Sequence, residues 1–395
     1  MASRFWVGTG SWTAVNTTNW SATSGGSGGA SVPTAADDVR FNGSSGNCTV
    51  GSGYTPQCVA ALFNGYASQF NGNGRVVQIY ATATTIFDGG TGTTFTNATF
   101  EISGSGGSSR TVVGSSSASA PSLNVTGTGS YTLSIYGSFQ NLNFTGSNCI
   151  ISVPSALSIL GNLTLSTGNS YMGVVVPFVM SGSGSQTITS NGATLGARLS
   201  ITTTSSVTLA DNFNNSGNSL FLNSGTFNAN NFNVTSTAFS SSNSSTRTVT
   251  MGSGTWTLGG GGGTAFWDVA TSTNLTVNAN TATITATAPT SKTFNGGGKT
   301  YYNLNQGGAG TLTITGANTF NNITNSVQPA TIIFPASTTT TVSNFGLSGT
   351  LNNLITLQSS SAGTRFTLSD SSGTVTPQYL SIKDSAATGG ATWIV

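Results

Sequence analysis

The chain has 395 residues, of which Gly (53), Ser (59), Thr (67) and Asn (38) supply 217; only 5% are charged, and His is absent. Clustered Lys and Arg for neutralising nucleic-acid phosphates are therefore missing, and a net charge of +2 beside a 36% hydrophobic fraction with 21 Phe does not fit a highly charged disordered chain. One Glu and three Lys, set among residues that populate helix interiors poorly, exclude a helical fold.

In chain order, residues 1–40 read as an aromatic cap or attachment segment. Trp6, Trp12 and Trp20 fall here, followed by a Ser/Gly/Ala/Pro stretch that ends in Asp37-Asp38-Val39. Arg4 is not followed by an apolar run, so no secretory leader is expected, and the chain is expected to be made in a cytoplasm and to stay soluble. Cys48, Cys58 and Cys149 are too few and too scattered for a disulfide framework or a zinc site. They read as small buried hydrophobes, with Cys48–Cys58 pairing left open for oxidising surroundings.

Residues 41–375 carry repeats, the most informative feature of the sequence. A tetrad of a large apolar residue, any residue, Asn, then Leu or Ile recurs. It appears at Phe139–Leu142, Leu160–Leu163, Tyr301–Leu304, Phe320–Ile323 and Leu351–Leu354. The Asn positions are 21 residues apart (141 to 162), 19 apart (303 to 322) and 31 apart (322 to 353). Such intervals suit the coils of a solenoid. Around the tetrads, Thr248-Val-Thr-Met251, Asn274-Leu-Thr-Val-Asn278 and Thr311-Leu-Thr-Ile-Thr315 alternate apolar and polar residues with the period of a strand. Ser103–Ser108 and Gly259–Gly263 read as turns. The apolar run Met172–Met180 is nine residues long with Pro177 inside. It is far short of the roughly 20 residues needed to span a bilayer and predicts a buried strand pair around a bend. Residues 376–395 read as a closing strand and turn around Trp393.

The expected fold is therefore all-β, a parallel β-solenoid. Stacked coils bring equivalent side chains about 4.8 Å apart. Two like charges at that distance repel by roughly 1 kcal/mol in water and by about 3–4 kcal/mol at an effective dielectric of 20. A charge repeated at each coil would accumulate that cost, whereas Asn and Thr can form hydrogen-bonded ladders. At roughly 22 residues per coil, about 350 residues give about 16 coils over about 75 Å.

Trp6-Val-Gly-Thr-Gly-Ser-Trp12, Asn19-Trp20-Ser21, Val32-Pro33-Thr-Ala-Ala-Asp37-Asp38-Val39 and the closing Leu380–Trp393 segment resemble Gly/Ser/Thr/Asn-rich β-solenoid proteins of tailed phages and environmental viruses. A related opening occurs in bacterial autotransporter passengers, but neither an export signal nor a C-terminal barrel is expected here. The viral resemblance implies a scaffold displayed on a virion.

Enzymatic chemistry finds little purchase. Gly25-Gly-Ser27-Gly-Gly29 matches a nucleophile-elbow pattern, but without His no Ser-His-Asp triad can form. Gly298-Lys299-Thr300 echoes the end of a P-loop without its leading Gly or a following helix. Glycan cleavage needs two carboxylates about 5–10 Å apart. Asp37, Asp38, Asp88, Glu101, Asp211, Asp268, Asp370 and Asp384 are the only candidates, with Asp88–Glu101 and Asp370–Asp384 as pairs that neighbouring coils would bring together. Asp residues capping turns are the simpler expectation. Asp37 or Asp38 could hold calcium, yet oxygen ligands are not clustered there. No catalytic, cofactor or metal residue is assigned. Trp256, Trp267, Tyr301 and Tyr302 are the candidate ligand contacts, since an exposed ring can stack on a sugar, although core filling competes for each. Tyr301 and Tyr302 must face opposite ways along a strand.

The expected function is that of a non-enzymatic phage virion structural protein: a fibre, spike or capsid-surface decoration at the virion surface. Its expected partners are further copies of itself in a homotrimer, capsid or tail proteins and host-surface glycans, with no nucleic acid and no membrane insertion. The alternatives are a bacterial surface adhesin or extracellular filament at the cell surface, and a tailspike-like polysaccharide depolymerase.

Overall fold

The computed structural model describes residues 2–80, 84–104, 109–116, 119–263 and 265–394, and only the backbone of 173–176. These residues hold 41 strands and no helix. The chain divides into two compact units, 1–198 and 199–395, and both are parallel β-solenoids.

In the first unit, successive coils return to the same face of the stack. Ser3–Trp6, Asp38–Arg40, Ala60–Leu62, Thr85–Asp88, Arg110–Val113 and the start of Tyr131–Phe139 pair in parallel, one after another. A second face stacks Gly8–Trp12, Ser45–Val50, Gln69–Asn71 and Thr94–Thr96. A third runs from Gln57–Cys58 through Val76–Ile79, Thr99–Ile102 and Ser122–Val125 to Leu142–Phe144. Coil length varies: Ser3 stands beside Asp38, 35 residues on, whereas Leu133 stands beside Ile151, 18 residues on. Register is kept because a one-residue slip would turn every inward side chain to solvent, so length differences are absorbed at the corners.

Inward positions are apolar and heavily aromatic. Trp20 meets Trp6 and Trp12 edge-on at 5.1 Å, and Phe41 continues the column by stacking on Phe63 at 4.6 Å. Corners use Asn as well as Gly. Asn230 and Asn231 both have positive φ, and the side chain of Asn228 accepts from the Asn230 amide at 2.9 Å, a local bond that makes Asn tolerant of this conformation. Outward positions form the anticipated ladders. Asn143 donates to Asn124 at 2.9 Å, Gln57 to Gln78 at 3.1 Å, and Thr315 to Asn295 at 2.9 Å.

Several expectations need correcting. Within residues 1–40, Ser3–Trp6 and Gly8–Trp12 form the first coil, in register with the next. Trp20–Ser21 adds an antiparallel strand against Ser3–Trp6. Residues 376–395 likewise continue the stack, Leu380–Lys383 on Ile355–Ser359 and Ser385–Thr388 on Phe366–Ser369. The tetrad at Leu351–Leu354 is not a coil position. Leu351 is 69% exposed in a turn, and the coil partner of Asn322 is Asn344, which gives an interval of 22 residues. Asn344 was hidden because Phe345 replaces the expected Leu or Ile after it. In the second tetrad Ile159, not Leu160, takes the inward place.

Met172–Met180 falls within one strand, Ser170–Met180. It pairs with Cys149–Ser152 at one end and Leu157–Ile159 at the other, and so bends between faces, although Met172 is exposed. Of the two expected turns, Gly259–Gly263 is one, with positive φ at Gly262 and Gly263; residues 105–108 of the other lie outside the described residues. All three cysteines are buried free thiols.

Candidate functional site

The strand Thr300–Gln306 aims Tyr301 inward and Tyr302 outward. Tyr301 is 1% exposed; its hydroxyl accepts from Trp267 Nε1 at 3.0 Å and donates to the Gly296 carbonyl at 2.8 Å. Burial pushes its phenol pKa well up, and the bond from Trp267 offsets only part of that. Trp267 packs against Phe239 at 4.6 Å, and Trp256 meets Phe239 edge-on at 5.4 Å. The reading of Trp256, Trp267 and Tyr301 as ligand contacts is therefore corrected. Strand alternation turns all three into the core, where their rings fill the column that Phe294 and Phe320 continue.

Tyr302 alone of the four stands outside. Residues 301–304 run buried, outward, outward, buried, and the pattern repeats at 320–323. Two outward residues in succession mean that the strand bends there from one face to the next. At this bend Tyr302, Asn321 and Ser343 occupy equivalent places in three coils, as the flanking pairs Tyr301–Phe320–Val342 and Asn303–Asn322–Asn344 fix. The turn containing Ala279 and Asn280, in the preceding coil, lines with them a groove of about 340 Å³. Among the described residues no charged side chain lines it.

The polar groups at this groove differ from those of the adjoining ladder. Asn303 donates to Thr283 at 2.9 Å, and Asn322 donates to Asn303, so that ladder satisfies itself. The side chains of Thr300, Tyr302, Thr319, Asn321 and Ser343 make no hydrogen bond among the described residues and remain available.

Six of the eight carboxylates bind backbone or neighbouring side chains. Burial raises the Asp37 pKa, but bonds from the Thr34 amide and hydroxyl and from the Ala2 amide outweigh it and hold the carboxyl below its ordinary value. Asp38 pairs with Arg40 at 2.8 Å and accepts from Ser3. Asp88, Asp268 and Asp370 each accept from the amide two residues on, and Asp384 accepts from the Gly363 amide. Asp370 and Asp384 do not meet. The strands Phe366–Ser369 and Ser385–Thr388 lie in register between them, which separates the two by five residues, or about 16 Å. Asp88 and Glu101 lie on different faces of their coil. Among the described residues no three His, Cys, Asp or Glu side chains gather as a metal site. Gly298-Lys299-Thr300 leads into a strand, not a helix.

Sequence reasoning missed three buried cations. Arg110, Arg247 and Lys292 are 3%, 1% and 1% exposed. Lys292 Nζ donates to the carbonyls of Ala288 (2.8 Å), Ala309 (2.7 Å), Gly308 (3.3 Å) and Thr290 (3.4 Å). Arg247 reaches Ser241 and Asn243 side chains and the Thr271 carbonyl, while Arg110 lies over the Tyr131 ring at 4.1 Å. Each pins the carbonyls or ring of a corner. The signal was present: Arg110-Thr-Val112, Arg247-Thr-Val249 and Lys292-Thr-Phe294 place each cation two residues before an inward apolar side chain, hence on the same face. Also missed was Tyr136, outward beside Ser138 in a second groove of about 480 Å³.

No known family, curated protein or solved structure matches this chain.

Proposed function

We propose that the chain is a non-enzymatic structural protein of a phage virion, a fibre, spike or capsid-surface decoration that stiffens the particle or presents a face to a host surface. The observation that carries this reading is the continuous in-register stacking of strands behind neutral outward ladders. Such ladders give many mutually supporting hydrogen bonds and repeat no charge, which suits a rigid exposed scaffold. The separated, turn-capping carboxylates support the non-enzymatic part. Association with further copies as a trimer belongs to the same proposal.

The test is location. Antibodies against the purified chain, used in immunogold microscopy of a lysate that expresses the gene in its native host, should label virus particles at a fixed place. Label confined to bacterial cell surfaces would favour an adhesin or filament instead. Release of reducing ends from host polysaccharide by the purified protein would favour a depolymerase.

A further inference from the structure

We infer that the groove at Tyr302 binds an uncharged polysaccharide, with the tyrosine ring stacking on a pyranose face and Thr300, Thr319, Asn321 and Ser343 bonding its hydroxyls. The inference deepens the proposed function by giving the host-facing surface a site and a ligand class.

Three observations converge. First, Tyr302 is held outward by its neighbours: Tyr301 is locked in the core by Trp267 and Gly296, and strand alternation then fixes Tyr302 on the other side. The side from which the ring leaves the strand is thus set before a ligand arrives. Second, the hydroxyl and amide groups around it are unengaged, whereas the neighbouring Thr283–Asn303–Asn322 ladder is closed on itself. A ligand dense in hydroxyls can use these donors and acceptors without breaking a protein hydrogen bond. Third, the lining carries no formal charge. An anionic chain would give up its hydration there without a cation in return, while a neutral sugar pays no such cost. Tyr302, Asn321 and Ser343 recur at the spacing of successive coils, about 4.8 Å, close to the length of one pyranose unit, so an extended chain can lie along the column.

The test uses the whole chain and three neutral probes, soluble β-glucan, α-mannan and dextran, with alginate as the acidic comparison, by calorimetry or biolayer interferometry. At least one neutral probe should bind, alginate should bind more weakly, and Tyr302→Ala should weaken binding by about tenfold. Tyr302→Phe should keep most of the affinity if stacking dominates. Because Tyr302 is outside the core, unchanged circular dichroism and melting are expected in both variants. Absence of binding to all three neutral probes, stronger binding of alginate, or equal binding by Tyr302→Ala would overturn the inference. Such results would leave particle labelling unaffected, so the virion assignment and the sugar site fail separately.

Discussion

A charge placed twice in one ladder tests why this chain carries so few. Asn303 and Asn322 stand in adjacent coils, with the Asn322 amide donating to Asn303 and the Asn303 amide to Thr283. Asn303→Asp alone loses the amide's donation to Thr283, whose hydroxyl has to turn and donate instead, while the carboxylate still accepts from Asn322. Asn322→Asp alone loses one amide bond; each single change should cost about 0.5–1.5 kcal/mol. The double variant sets two carboxylates about 4.8 Å apart. Their repulsion lies between about 1 kcal/mol at the dielectric of water and about 3.5 kcal/mol at an effective dielectric of 20, and both side chains are half-buried. Hydrogen exchange of peptides covering 300–325 reads this locally, without assuming that a long stack unfolds in one step. The double variant should open more easily than the two singles together predict, by about 1–3 kcal/mol. That excess should shrink in high salt and vanish below about pH 3, where both carboxyls are neutral. Additivity within about 0.5 kcal/mol at pH 7 and low salt would refute the idea that ladder spacing is what excludes charge.

Other outcomes follow from the same structure. Burial lowers the Lys292 pKa to about 8, below the roughly 10.4 of an unfolded lysine. Between these values the unfolded chain binds the extra proton, so stability should rise with pH across that window; Lys292→Met should abolish this rise, which melts from pH 7.5 to 10 can check. Trp267→Ala empties a core position among Phe239, Phe294 and Tyr301 and should destabilise its unit by about 3–5 kcal/mol; hydrogen exchange near 265–301 measures it. Burial pushes the Cys48 and Cys58 thiols well above their ordinary range and raises the Cys149 thiol as well, so a thiol reagent should leave all three cysteines unmodified until denaturant is added. Sedimentation of the intact protein should give three times the monomer mass, and a monomer would contradict the trimer.

The fold was legible because its cause is periodic. Alternating Thr and apolar residues in Thr311–Thr315 specify a strand, and Asn303 and Asn322 at 19 residues specify stacking. Both signals are local and strong. The corners were not legible, because length differences collect there. The interval from Asn322 to Asn344 was concealed by Phe345, and a chance Asn-Asn-Leu in an exposed turn at 352–354 took its place. At the start of the chain, Trp6, Trp12 and Trp20 suggest a cap by composition, while the pairing of Ser3–Trp6 with Asp38–Arg40, of Gly8–Trp12 with Ser45–Val50 and of Trp20–Ser21 with Ser3–Trp6, which composition does not reveal, makes this segment part of the first coil. At the candidate groove, alternation separates Tyr301 from Tyr302 but does not say which faces in. The Trp267 indole and the Gly296 carbonyl decide that, and both are distant in sequence or bound through a turn. The buried cations escaped because a charge count treats every Lys and Arg as solvated.

The most direct measurement is a density map of the protein at side-chain resolution. The account predicts Asn303, Asn322 and Asn344 in one outward column at the spacing of parallel strands, with Tyr301, Phe320 and Val342 stacked inside. Antiparallel sandwiches, or Asn353 in place of Asn344 in that column, would contradict it.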